Sequence, residues 1–169
     1  MNKTSTVDST LDIFEEKGKI LVMGVGNYLM GDEGIGVHIA NRLEKIDLPE
    51  YLDVVDGGTG GFLLMNYFDE YPNIIFVDAT MDGKPPGTVS ILEPKFASDF
   101  PSALSVHDVG LKDMIEAVYL TEKVPKMYLL TISIDEIKPM TLKLSRKVEK
   151  AINEAIDSIL SISDDIMKT

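Results

Sequence analysis

Five short apolar runs, separated by stretches whose apolar residues recur every three or four positions, constrain this 169-residue chain more than any other feature. A run of that length that is apolar throughout suits a strand buried on both faces, and the wider spacing suits helices laid over such strands. Residues 19–24 (KILVMG) form the first run. Glycines crowd 24–36, and Ile35, Ile39, Leu43 and Ile46 then mark one helix face. Residues 52–55 read as a second strand, closed by Asp56, Gly57 and Gly58, with Thr59 placed to cap a helix carrying Phe62, Met65 and Phe68. Residues 73–79 (NIIFVDA) and 127–134 (MYLLTISI) are further buried runs. Between them, 88–92 alternates Val89 and Ile91 with polar residues, so one side of that strand is expected to be wet. A helix marked by Leu111, Met114, Ile115 and Val118 follows the 93–108 loop. Leu144, Val148, Ile152, Ile156 and Leu160 give the final helix its stripe, with Thr141 as its expected cap.

The order β-α-β-α-β-β-α-β-α predicts an α/β sheet with helices on both faces. The third and fourth strands are joined by too few residues for a parallel crossover, which needs about a dozen or more, so the fourth strand is expected to run antiparallel. Neither a repeat nor a linker divides residues 18–169, which read as one domain. Residues 1–17 read as a polar extension.

Composition removes several functions. Without cysteine, a thiol nucleophile, a thiolate metal site and a disulfide framework are excluded. A net charge of −12 opposes binding to nucleic acid or to an anionic membrane surface, and favours a basic partner or a divalent cation. No apolar run approaches the roughly 20 residues that span a bilayer, and the first residues lack a signal-peptide core, so a cytoplasmic protein is expected.

In an open α/β sheet, ligands bind beyond the carboxyl ends of the parallel strands. Three segments bring suitable side chains there. They are Asp32 and Glu33 after the first strand, Asp78 at the end of the third, and His107 with Asp108 before the third helix. Asp56 ends the second strand in the same layer. Glu33, Asp78 and His107 make an O,O,N set of the kind that holds a divalent metal while leaving positions open. Each residue also has a plainer use. Asp32 suits the N-cap of the helix it precedes, Glu33 suits a first helical turn, Asp78 and Asp56 suit turns, and His107 suits a surface loop. His38, beside the helix stripe, is expected to be exposed and inert.

Standard hydrolase motifs are missing, with no G-x-S-x-G and no H-E-x-x-H. Ser105, His107 and Asp108 are neighbours in sequence, which is no evidence for a triad. Gly24 and Gly26 begin like a dinucleotide fingerprint, but its third glycine falls at Leu29. Asp32 and Glu33 would also put negative charge where a pyrophosphate must dock. A nucleotide-binding α/β enzyme is therefore the alternative reading rather than the main one.

The stretch 24–37 (GVGNYLMGDEGIGV) resembles the N-terminal signature of the nickel–iron hydrogenase maturation endopeptidases. Residues 55–59 (VDGGT), 76–79 (FVDA) and 105–111 (SVHDVGL) resemble further family segments in the same order, over about 19–160. The resemblance implies a three-layer α/β/α fold with strand order 2-1-3-5-4 and strand 4 antiparallel at an edge. It implies metal binding by Glu33, Asp78 and His107, with Asp56 as a further acid in the cleft. It also implies removal of a C-terminal extension from the hydrogenase large-subunit precursor, with Ni²⁺ presented by that precursor and Cd²⁺ or Zn²⁺ able to replace it in crystals. Asp56 or Asp32 would act as base or orient the attacking water. A monomer is expected, and a non-proteolytic chaperone that docks on the precursor is the second alternative.

Overall fold

A computed structural model describes residues 18–101 and 111–169. The strands are β1 (Ile20–Val25), β2 (Leu52–Gly58), β3 (Asn73–Thr80), β4 (Val89–Leu92) and β5 (Lys126–Ser133). The α-helices are α1 (Ile35–Leu43), α2 (Asn66–Glu70), α3 (Leu111–Tyr119) and α4 (Arg146–Lys168), with single 3-10 turns at Gly31–Gly34, Gly61–Leu64 and Ala97–Asp99. The expected 1–17 extension lies outside the described residues. No described helix is long and apolar enough to cross a membrane.

The strands form one sheet in the order β2-β1-β3-β5-β4. β1 pairs in parallel with β2 and β3, β3 pairs in parallel with β5, and β4 runs antiparallel to β5 at the edge. The eight residues between Thr80 and Val89 explain that reversal, since they can turn the chain back but cannot carry it across the sheet. Every residue of β1 and β3 is buried, as expected of central strands covered on both faces. β4 is wetter than its alternation suggested. Val89 and Ser90 are half-buried, and Ile91 and Leu92 are exposed, because an edge strand has a neighbour on one side only.

Alternation along the strands divides the core. Ile20, Val22, Ile75, Val77, Leu130 and Ile132 pack with Ile35, Ile39 and Leu43 of α1 and Val148, Ile152 and Ile159 of α4. Leu21, Met23, Ile74, Phe76 and Leu129 pack on the other face with Phe68 of α2 and Leu111, Met114, Ile115 and Val118 of α3. Each such fully buried side chain contributes about 1.5–3 kcal/mol relative to exposure.

Three local expectations need correction. Ile46 lies beyond the end of α1 and is 42% exposed, so the stripe stops at Leu43. The second helix is a 3-10 turn followed by five residues; Phe62 is 60% exposed, and the residue before the turn is Gly60 rather than Thr59. Thr141 does not cap α4, whose preceding residue is Ser145. Thr141 instead forms a parallel bridge with Met30, which ties the loop after β5 to the loop after β1.

Candidate functional site

The carboxyl ends of β1, β2, β3 and β5 all lie at one edge of the sheet, because those strands are mutually parallel. The glycine-rich stretch brings the turn Gly31–Gly34 onto that edge. A Cβ on Gly36 would fall 2.2 Å from the Val77 carbonyl oxygen and 2.3 Å from that of Val25. A Cβ on Gly24 would fall 2.1 Å from the Gly36 carbonyl oxygen. Gly26, at φ +135°, leaves room for the Glu33 carbonyl oxygen at 2.2 Å from the place a Cβ would occupy. These glycines let α1 and its leading turn sit directly on β1 and β3. The fingerprint glycine Gly26 thus faces the chain's own turn, which fills the space a pyrophosphate would need.

Glu33 is 1% exposed in that turn, and the turn contacts β3. Asp78 is fully buried near the end of β3, and its Oδ1 accepts the Ala79 N–H at 2.8 Å. The fold therefore carries both acids, from separate segments, to the same edge and out of water. A carboxyl group is buried in this way only where hydrogen bonds, opposite charge, a cation or a proton meet it. His107, with Ser105 and Asp108, lies outside the described residues. Among the described residues no group of three or more His, Asp or Glu side chains is placed to hold a metal.

The other two acids are held differently. Asp56 is exposed, and its Oδ1 accepts the Gly58 N–H at 3.0 Å, an Asx turn that Gly58 completes at φ +48°. In the sheet it shares a row with Gly24 and Val77, so its side chain belongs to the face opposite that of Asp78. Asp32 is 8% exposed and does not cap its own helix. Its Oδ1 accepts the backbone N–H of Ser145 at 2.7 Å, at the start of α4.

His38 departs from the sequence reading. It is half-buried, its ring lies 4.5 Å from that of Tyr28, and its Nε2 is buried without a hydrogen-bond partner among the described residues. Burial holds its pKa below 6.5, against the opposing effects of a backbone hydrogen bond with Leu142 and of the Glu149 charge.

Sequence reasoning also missed a polar row beside Asp78. Thr80, Thr131 and Ser133 are all buried. Asp78 pairs in register with Thr131, and Thr80 with Ser133. Alternation puts all four side chains on one face, where the apolar lining of Phe76 and Leu129 gives way to polar groups. The signal was available as polar residues at every second position where two adjacent strands end.

Comparisons with known proteins agree with this architecture. Residues 37–162 match the family model described as hydrogenase maturation protease. The chain is 36% identical to the hydrogenase 2 maturation protease of Escherichia coli K12, over 85% of this chain and 89% of that protein. It superposes on the hydrogenase maturating endopeptidase HybD from Escherichia coli with a TM-score of 0.79 and 34% identity, covering 88% of this chain and 93% of that one. The hydrogenase 2 maturation peptidase of a Thaumarchaeota archaeon gives a TM-score of 0.65 and 32% identity, over 86% and 97% of the two chains. Sequence and strand order thus converge, and the chain belongs to the hydrogenase maturation protease family.

Proposed function

We propose that the protein is an endopeptidase that removes a C-terminal extension from the nickel-loaded large-subunit precursor of a nickel–iron hydrogenase. The observation that carries this reading is the burial of Glu33 and Asp78 together at the carboxyl edge of the sheet, where α/β folds bind their ligands. Two carboxylates supply hard oxygen donors, and an imidazole from His107 would complete a set that suits nickel and related divalent ions. The nickel belongs to the substrate. Bound at such a set, a divalent cation polarises a carbonyl or lowers the pKa of a water.

This chain's residues then divide the work. Glu33 and Asp78 hold the cation and so fix the position of the precursor's tail beside it. Asp56, exposed at the end of β2 on the face that carries α1 and the Glu33 turn, would act as base or orient the attacking water from that side. Asp32 orients the site from behind, since its bond to Ser145 anchors the turn that carries Glu33. The test is mass spectrometry of nickel-loaded precursor after incubation with the protein. Loss of a C-terminal segment supports the reading, whereas a stable complex without shortening would identify a docking chaperone instead.

A further inference from the structure

The chain carries a net charge of −12, yet one stretch reverses the sign. Between residues 138 and 150 stand Lys138, Lys143, Arg146, Lys147 and Lys150 against a single acid, Glu149. All five bases are exposed. Lys138 pairs with Glu136 at 3.1 Å, and the other four form no ion pair among the described residues. Arg146 and Lys150, four residues apart on α4, share a face of that helix.

The same stretch exposes apolar side chains. Met140 is 95% exposed and Leu142 54%, with Leu29 at 58% and Tyr28 at 40% across from them. The two loops are stitched together, since Thr141 N–H donates to the Leu29 carbonyl oxygen at 2.9 Å and Gly31 N–H donates to the Thr141 carbonyl oxygen at 2.7 Å. Four large apolar side chains therefore surround one backbone bridge. Met140 is also the one non-glycine residue at positive φ, 55°, among the described residues. That conformation costs roughly 1 kcal/mol for an ordinary side chain, and here it sits on a Met in open solvent. The patch adjoins the proposed site. Lys138 lies against Gly31, and Lys138, Lys143, Asp32 and Ser145 line one shallow cavity.

An exposed apolar group followed along the chain by a run of exposed bases without ion pairs among the described residues, in a chain of net charge −12, fits a protein partner of opposite character. We propose that Tyr28, Leu29, Met140 and Leu142, with the exposed bases Lys143, Arg146 and Lys150 that follow in the chain, dock an apolar patch bordered by carboxylates on the folded body of the precursor, apart from the segment that is cut. This rests on the endopeptidase reading for the identity of the partner. A surface of this kind adds affinity and encounter rate without touching the reacting bond. It also keeps the precursor's acids away from this chain's own excess of carboxylates.

The test measures cleavage of nickel-loaded precursor at varied concentration by wild type, by Lys143→Glu/Arg146→Glu, and by Met140→Asn/Leu142→Ser. Glutamate at 146 is favoured in the first turn of α4, Lys143 is exposed before that helix, and asparagine tolerates positive φ, so both variants are expected to keep the fold, which circular dichroism verifies. Each variant is expected to raise KM about tenfold with kcat unchanged, and raised salt is expected to weaken wild type more than the charge variant. Ile46→Ser/Leu120→Ser, exposed apolar residues away from the patch, serves as the control and is expected to match wild type. KM values equal to wild type in both patch variants overturn the proposal, as does a loss of self-association in their place, which would make the patch an interface between copies of this chain. Failure of wild type itself to shorten the precursor would instead overturn the endopeptidase reading.

Discussion

The carboxylate of Asp32 accepts the backbone N–H of Ser145 at 2.7 Å, joining the turn after the first strand to the start of the last helix across 113 residues of sequence. The bond places a buried acid at the positive end of α4 and fixes the residue immediately before Glu33. Its loss leaves the Ser145 N–H, at the part-buried start of α4, without its acceptor. Asp32→Ala is therefore expected to destabilise the fold by about 1–3 kcal/mol in chemical denaturation. Asp32→Asn keeps the acceptor oxygen and is expected to recover most of that loss. Cleavage by Asp32→Asn is expected to stay within about tenfold of wild type, whereas loss of a general base costs about 10²–10⁴.

The closeness of α1 to the sheet gives a second expectation. Gly36→Ala sets a methyl 2.2 Å from the Val77 carbonyl oxygen, and backbone on both sides resists it. Thermal and denaturant unfolding are expected to show a loss of about 3 kcal/mol, the upper range for overpacking. Gly83→Ala is the matched comparison. Gly83 has φ +79° but nothing within 4 Å, so only the conformational cost of about 1 kcal/mol should appear.

The half-buried His38 predicts the direction of a pH effect. Its pKa is depressed in the folded protein, first by burial, so the unfolded chain binds the proton more readily. Its contribution to stability is present above 6.5 and is lost as pH falls from there toward the folded value. His38→Gln is expected to flatten the decline in unfolding free energy between about pH 7 and about pH 5 relative to wild type. An unchanged decline would assign that acid sensitivity to the carboxylates instead.

The strands and the reversal of β4 were legible in the sequence because they are local, whereas the order in the sheet came from the family resemblance. Uniformly apolar runs marked β1, β3 and β5, and a link of eight residues reversed β4. The acids at the sheet edge were legible because position at a strand's end fixes them in space. What escaped notice depends on contacts and turns that residue type and periodicity do not report. The Asp32 to Ser145 bond joins loops whose spacing carries no signal, so Asp32 read as a cap for its own helix. Thr141 read as a cap for α4 because its type suits one, yet the bridge to Met30 claims its backbone. His38 read as exposed because helix periodicity cannot report the Tyr28 ring laid against it. Phe62 read as core because a helix was assumed to continue where a 3-10 turn stands.

The most direct test of the account pairs function with the two buried acids. Nickel-loaded precursor is mixed with wild type, Glu33→Gln or Asp78→Asn, and intact masses are followed over time, while Cd²⁺ binding to each protein alone is measured by calorimetry. The account predicts that wild type trims the precursor's C-terminus, that both variants slow trimming at least about a hundredfold, and that both weaken Cd²⁺ binding. Trimming at the wild-type rate by both variants, with Cd²⁺ binding unchanged, would contradict it.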